Sequence, residues 1–177
     1  MHRARSRIDA RRLGAAGDKV CVVSFRQDTK MAGLKRSPLF EGLSRKQLAH
    51  IARLSDDLEV PAGTVMCAEG SRGQEFFVII AGDAEVTRGG KLVATIGSGD
   101  FFGEIALLER VRRTATVTAV TPLSFFVISA KAFNSVVGAD PTIERKLLHA
   151  RALCAHHRAC RDLEVVAEPR YLRELLT

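Results

Sequence analysis

Thirteen residues, GEIALLERVRRTA at positions 103–115, combine side chains from which an anion site can be built. A short helix that begins after Gly103 directs free backbone N–H groups outward, and such groups bind phosphate readily. Gly103 lets a ligand approach the backbone closely. Arg113, at the start of the next strand, can offer two parallel N–H donors to phosphate oxygens. Glu104 would repel an anion, but it can accept hydrogen bonds from a sugar hydroxyl, so these residues together indicate a nucleotide site.

The elements that position this stretch are predicted from periodicity and turn residues. Apolar residues recur at helical spacing over 38–55, with Ser44 as the N-cap of RKQLAHIARL, which predicts one or two helices. Short extended runs bounded by turn residues follow; they lie at 58–60, 64–67, 75–80, 84–88, 91–96, 114–120 and 124–129. The pattern predicts a mainly β protein with flanking helices, an antiparallel β-roll of jelly-roll type, with a short helix inserted at GEIALL.

Two helices are predicted after the last strand. Residues 131–137 favour the first, and Asp140 and Pro141 are suited to be the N-cap and first helical position of the second. The second helix is expected to end near residue 164 and to carry an apolar stripe. That stripe offers a surface for a protein partner or a second copy of the chain.

The net charge of +7 is concentrated near the N-terminus. Residues 1–36 contain ten Lys and Arg against three Asp, whereas residues 37–177 contain 17 basic and 17 acidic residues. We therefore expect a basic, disordered arm over 1–36, a folded domain over 37–164 and a short tail over 165–177. The arm is either a solvated tail or a segment that holds nucleic acid without sequence specificity. A third interpretation places the translation start at Met31, which lowers the net charge to +2.

Several classes of protein are excluded or disfavoured by what the sequence lacks. No run of about 18 apolar residues could span a membrane, and four scattered cysteines without a CxxC motif favour reduced thiols in the cytoplasm. No nucleophile–base pair, P-loop or kinase signature is visible, so no enzyme activity and no cofactor are predicted. The β-region lacks the histidines of a cupin metal site. Cys154, His157 and Cys160 share a helix face, but we interpret them as packing residues, so no metal is predicted.

FGEIALL, followed by Arg113 nine residues after Glu104 and by Thr114-Ala115, resembles the phosphate-binding cassette of the cyclic nucleotide-binding domain family. That family includes the catabolite activator protein, regulatory subunits of cyclic-nucleotide-dependent protein kinases and cyclic-nucleotide-gated channels. The resemblance covers roughly residues 35–163 and implies the same order of helix, β-roll with inserted helix, and terminal helices. It implies cyclic AMP (cAMP) or cyclic GMP (cGMP) as the ligand.

The resemblance also implies roles for individual residues. Glu104 would hold the ribose 2′-hydroxyl and Arg113 would pair with the exocyclic phosphate oxygens. The backbone amides of Ile105, Ala106 and Ala115 would complete the phosphate cradle. A hydroxyl at the position of Thr114 is associated with cyclic GMP, although some channels with Thr prefer cyclic AMP, so both purines stay open. An aliphatic residue of the last helix would cap the base; the candidates are Leu147, Leu148 and Leu153.

One position departs from the family pattern. Many members have glycine where this chain has Val111, and a β-branched residue resists positive φ, so the loop over 109–112 must take another path. Arg110 and Arg112 are expected to face solvent, because the nine-residue spacing singles out Arg113. The alternative for Arg113 and Glu104 is an ordinary surface ion pair.

The implied function is that of a stand-alone sensor, which relays ligand binding through its C-terminal helix to a partner or dimer mate. Only about 13 residues follow the long helix, too few for a helix-turn-helix domain, so nucleic acid is not expected as a partner. Two alternatives stay open. One is an interaction protein that keeps the fold but binds no nucleotide, and the other is a DNA-associated regulator that acts through the basic arm.

Overall fold

The computed structural model describes residues 21–23, 27–108, 110–139, 141–143 and 145–146. Within them lie four α-helices and nine strands, together with a 3-10 helix at Pro38–Phe40. The helices are α1 (Gln27–Lys35), α2 (Arg45–Leu54), α3 (Glu104–Leu108) and α4 (Ala130–Ala139). The strands are β1 (Cys21–Val23), β2 (Ser55–Val60), β3 (Val65–Cys67), β4 (Glu75–Ala81), β5 (Ala84–Arg88), β6 (Lys91–Ile96), β7 (Phe101–Phe102), β8 (Thr116–Ala119) and β9 (Leu123–Ser129).

The strands form two antiparallel sheets. One has the order β1-β2-β9-β4-β7 and the other the order β3-β8-β5-β6. Every pairing between these strands is antiparallel. Helix α3 is inserted between β7 and β8, as expected for GEIALL. The predicted fold class, an antiparallel β-roll with flanking helices and one inserted helix, is confirmed.

The two central strands of the larger sheet, β4 and β9, are buried on both faces. Phe76 and Val78 pack with the helices, whereas their neighbours Phe77 and Ile79 pack between the two sheets. The same alternation holds along β9. Both strands therefore have continuous apolar sequences, EFFVIIA and LSFFVIS, instead of alternating ones. The segment that contains α3 follows β7, which pairs with the central strand β4 of this doubly covered sheet.

The predicted helical region before the roll is confirmed. It consists of the 3-10 helix and α2, and Ser44 is the N-cap of α2. The Gln47 N–H donates to Ser44 Oγ at 3.3 Å, and the Ser44 N–H donates to Gln47 Oε1 at 2.8 Å. This capping box satisfies amides that have no partner within the helix. The apolar face of α2, including Leu48 and Ile51, is buried against the larger sheet.

The expectation of a disordered arm over 1–36 is wrong for the part that the structure describes. Strand β1 pairs with β2, and α1 packs on the larger sheet with Leu34 completely buried. A Cβ atom on Gly33 would lie 3.0 Å from Ile80 and from Phe126, so α1 approaches the sheet very closely. Residues 1–20 lie outside the described part.

The docking of α1 depends on a charge that hydrophobic periodicity does not reveal. Lys30 Nζ lies 2.7 Å from Asp57 Oδ1 and donates to Ser55 O at 3.1 Å. Strand β2 begins at Ser55, three residues before the strand predicted from LEV, and both Ser55 and Asp57 in this added part are buried. A buried carboxylate requires a partner of this kind.

Other element limits differ by a few residues. Strand β8 begins at Thr116, two residues later than predicted, and the helix predicted over 131–137 extends over Ala130–Ala139. The two-residue strand β7 was too short for a sequence signal. Residues 141–143 and 145–146 are helical, in agreement with a helix start at Pro141. The continuation of this helix to residue 164 and the tail over 165–177 lie outside the described part.

Candidate functional site

Arg113 is a buried arginine whose guanidinium is held by main-chain carbonyls. The residue is 5% exposed, Nη1 donates to Gly103 O at 3.1 Å, and Nη2 donates to Glu75 O at 2.8 Å. Nη2 also lies 3.4 Å from the carboxylate oxygen Oε2 of Glu75. The guanidinium carbon lies 5.5 Å from the centroid of the Phe77 ring. A buried cation needs such acceptors, and they fix the orientation of the guanidinium.

The main chain of Arg113 is fixed as well. Its N–H donates to Ser71 O at 2.8 Å, and its carbonyl accepts from the Gly70 N–H at 2.8 Å. The strand-like segment that carries Arg113 is therefore bound to the turn over 70–73. Side chain and backbone are both held before any ligand arrives, which is the condition for a preorganised site.

Two glycines make room for Arg113. Gly103 has φ +93, and a Cβ atom there would lie 2.5 Å from Arg113 Nη1 and 2.8 Å from Glu75 O. At Gly73 a Cβ atom would lie 2.7 Å from Arg113 Nε and from Ala106 Cβ. Gly103 was expected to admit a ligand to the backbone, but the space above it is occupied by the arginine. Gly103 is required here because any side chain would collide with the Arg113 guanidinium.

Glu104 is the first residue of α3 and is 7% exposed. An acidic residue in the first turn favours the helix, because the free N–H groups there carry partial positive charge. Both Glu104 and Arg113 are buried, so the alternative of a surface ion pair between them is excluded. The ion pair of Arg113 is with Glu75, a residue that sequence reasoning used only as the start of a strand.

The remaining cassette residues surround Arg113. Ala106 is buried beside Gly73, while Ile105, Thr114 and Ala115 are partly buried. Cys67 Sγ lies 3.8 Å from Ala115 O as a long hydrogen-bond donor. Burial raises the pKa of the Cys67 thiol, and Arg113 opposes that shift, while Glu104 and Glu75 add to it. All three charged groups thus act on the pKa of one thiol, which indicates that they lie in one small region around Cys67.

The loop before Arg113 contains a residue in the left-handed region. The positive φ, +54, falls on Arg110, and Val111 is 42% exposed. Arg110 and Arg112 are exposed, as predicted, and Arg112 Nη1 donates to Gly70 O at 2.8 Å. The left-handed conformation of this loop thus falls on Arg110 and not on the β-branched Val111, and Arg113 after it is buried.

Several residues considered from the sequence lie outside the described part of the chain. They are the candidate base caps Leu147, Leu148 and Leu153, and the possible metal ligands Cys154, His157 and Cys160. Among the residues that the structure describes, no group of three or more His, Cys, Asp or Glu side chains could hold a metal ion. None of the helices described is long and apolar enough to cross a membrane.

Comparison of the sequence with known proteins identifies related domains. The family model described as cyclic nucleotide-binding domain matches residues 57–140. A cAMP-dependent protein kinase regulatory subunit from Mycosarcoma maydis is 40% identical over 113 residues, which are 57% of this chain and 21% of that protein. A cyclic nucleotide-gated potassium channel from Rhizobium etli is 37% identical over 106 residues, 60% of this chain and 30% of the channel.

A solved structure of a cAMP-bound regulatory domain is also similar to this chain. The regulatory domain of Toxoplasma gondii PKA with cAMP is 28% identical, with a TM-score of 0.61, over 69% of this chain and 48% of that chain. The chain thus spans only about a fifth to a third of the two sequence relatives and about half of the solved structure. Fold, motif and family model agree on one region, and residues 57–140 belong to the cyclic nucleotide-binding domain family.

Proposed function

We propose that this protein binds a cyclic nucleotide, cyclic AMP or cyclic GMP, in the region around Arg113. The observation that carries the proposal is the buried guanidinium of Arg113, held between Gly103 and Glu75 and next to the start of α3. A protein rarely buries an arginine in a loop region without a purpose for its charge. A cyclic phosphodiester carries one negative charge, which one arginine can match.

The proposed contacts follow the cassette. Arg113 pairs with the exocyclic oxygens of the phosphate, and the amides of Ile105, Ala106 and Ala115 donate to the same group. Glu104 accepts from the ribose 2′-hydroxyl. Nη2 of Arg113 already donates to Glu75 O, so a phosphate that takes a second Nη2 hydrogen replaces the longer contact with the Glu75 carboxylate. Support for cyclic AMP comes from relatives that are named for it.

Calorimetry with cyclic AMP and cyclic GMP tests the proposal. Replacing Arg113 by Ala removes a charge-assisted contact and should weaken binding by about 1.5–3 kcal/mol, roughly 10- to 150-fold. Arg112→Ala is the matched control, because Arg112 is the exposed neighbour; its affinity at 0.15 M salt should change less than about threefold. If the wild type binds neither nucleotide at millimolar concentration, the proposal is wrong, and an interaction protein without a nucleotide becomes the better description.

A second ligand separates loss of binding from loss of folding. Since Glu104 is proposed to hold the 2′-hydroxyl, the wild type should prefer cyclic AMP over 2′-deoxy cyclic AMP, and Glu104→Gln should reduce that preference toward one. Unfolding midpoints measured for each variant identify any that fail to fold. An undiminished preference in Glu104→Gln places the hydroxyl elsewhere.

We also infer that the protein acts as a sensor, which relays binding through its C-terminal helical region to a partner or to a second copy. Ile143 is buried in the helical core cluster, and Lys146 Nζ donates to Pro38 O at 2.9 Å and to Glu41 O at 2.8 Å. These contacts connect the region after α4 with the segment before α2. A ligand that binds two arrangements of this region with different affinity would shift their populations.

A further inference from the structure

Two exposed arginines face each other beside the buried Arg113. Arg72 and Arg112 are partners in an isolated antiparallel bridge, so their side chains leave the bridge from directly opposed positions. Both are exposed, and Arg110, two residues before Arg112, is exposed too. We refer to Arg72, Arg110 and Arg112 as the arginine rim. Opposed like charges on neighbouring strands are destabilising, so this pairing has an electrostatic cost.

The rim has no acidic partner among the residues that the structure describes. Arg112 Nη1 donates to a main-chain carbonyl, Gly70 O, and Arg72 and Arg110 form no ion pair there. The acidic residues nearest to Arg72 in the chain have other partners: Glu69 Oε2 accepts from the Gly89 N–H at 2.8 Å, and Glu75 Oε2 lies 3.4 Å from Arg113 Nη2. Within the described residues, no ion pair neutralises the positive charge of the rim.

The bridged members of the rim are chain neighbours of the proposed nucleotide site, although the Arg112 side chain is exposed where that of Arg113 is buried, since neighbouring residues of an extended segment point to opposite faces. Arg112 precedes Arg113, and Arg72 precedes Gly73, whose Cβ position is 2.7 Å from Arg113 Nε. The rim charges thus lie on the order of 10 Å from the site, which is about one Debye length at 0.1 M salt. Over that distance charges attract an anion through water without contacting it.

Resting on the proposed function, we propose that the arginine rim steers the anionic nucleotide into the site and speeds its capture. Arg113 is then the binding contact, and Arg72, Arg110 and Arg112 set the association rate. Outside residues 1–36 the chain has as many acidic as basic residues, so net charge alone gives the domain no such attraction. Charges at a rim typically change the association rate and its salt dependence, whereas contacts in the site change dissociation.

Stopped-flow binding of a cyclic AMP analogue with an uncharged fluorophore tests this. The double variant Arg72→Gln/Arg112→Gln should associate about threefold more slowly than the wild type at 10 mM salt, and the difference should vanish near 0.5 M salt. Its dissociation rate constant should stay within about 1.5-fold of the wild-type value. Arg72→Lys/Arg112→Lys keeps both charges and should restore the association rate.

The matched control is Lys35→Gln/Lys46→Gln, which removes two exposed charges on α1 and α2. It changes the net charge equally, so equal slowing by both double variants would overturn steering by the rim. So would unchanged association in Arg72→Gln/Arg112→Gln, or slowing that persists at 0.5 M salt. Absence of any nucleotide binding by the wild type overturns the proposed function together with this inference, whereas binding with equal association rates overturns the inference alone.

Discussion

At the scale of single residues, the proposed binding of an anion at Arg113 depends on the acidic groups near that residue. The Glu75 carboxylate lies 3.4 Å from the Arg113 guanidinium and opposes its positive charge, and Glu104 is a second buried acidic residue of the same cassette region. Glu75 contributes twice: its carbonyl holds Nη2 at 2.8 Å, and its carboxylate lies at 3.4 Å. Only the second contact depends on the side chain. The two contributions of Glu75 can therefore be separated by substitution.

Glu75→Gln should raise the affinity for cyclic AMP about 5- to 30-fold, because it removes one negative charge near the phosphate and leaves the carbonyl contact. The same change leaves the buried Arg113 less compensated, so the free energy of unfolding without ligand should fall by about 1–3 kcal/mol. Calorimetry and urea titration measure the two effects.

Glu59→Gln provides the control for Glu75→Gln, since Glu59 is exposed on β2 and its carboxylate accepts from Ser124 Oγ at 2.9 Å. It should leave affinity within about twofold. A lower affinity in Glu75→Gln would mean that the carboxylate positions Arg113 for the phosphate. The idea that the Glu75 carboxylate and the phosphate compete for Arg113 would then be wrong.

The residues of the site were predictable only in part. Arg113 and Glu104 follow from their spacing in the cassette, because both lie close together in the chain. Glu75, Gly73 and Cys67 lie about 30 residues or more before them and reach the site through the pairing of β4 with β7 and β3 with β8. No local pattern marks them, since their role depends on which loops the two sheets bring together.

At the scale of elements, the ion pair between α1 and β2 shows what hydrophobic periodicity fails to predict. The strands of the roll were predicted because apolar runs between turn residues are read directly from sequence. Helix α1 and the start of β2 were not, because Lys30, Ser55 and Asp57 are polar residues in buried or partly buried positions. Polarity suggested an exposed arm, but a buried ion pair gives the same sequence signal. Tertiary context decides between them.

Lys30→Ala should lower the free energy of unfolding by about 3 kcal/mol, because it leaves the Asp57 carboxylate buried without its cation. Asp57→Ala should cost a similar amount, and the double variant should cost clearly less than the sum of the two. Urea unfolding of the four proteins measures this coupling. The control is Lys35→Ala, at the exposed end of α1, which should change stability by less than about 0.5 kcal/mol. Additive effects of Lys30→Ala and Asp57→Ala would show that the ion pair does not hold α1.

At the scale of the whole molecule, the segment before α2 and the region after α4 form one connected layer over the larger sheet. Leu39, Phe40, Phe133 and Ile143 share one core cluster. Lys146 adds two hydrogen bonds, to Pro38 O and Glu41 O, across more than 100 positions in sequence. Pro38 O also accepts from the Glu41 N–H at 3.3 Å within the 3-10 turn, so Lys146 is a second donor to this carbonyl. A movement of residues 141–146 would therefore displace or release the 3-10 helix to which Lys146 is bound.

Lys146→Ala should loosen this connection, and hydrogen exchange followed by mass spectrometry can locate the effect. We expect faster exchange over 38–41 and 141–146, by about 1–2 kcal/mol in opening free energy, and unchanged protection in β4 and β9. If cyclic AMP binding is relayed through this layer, the nucleotide should alter exchange over 38–41 in the wild type and less so in Lys146→Ala. Arg145→Ala removes the exposed neighbouring charge and should respond like the wild type. A ligand response over 38–41 that is the same in Lys146→Ala would rule out the two Lys146 hydrogen bonds as the link, and the relay would then depend on the apolar contacts of Ile143 alone.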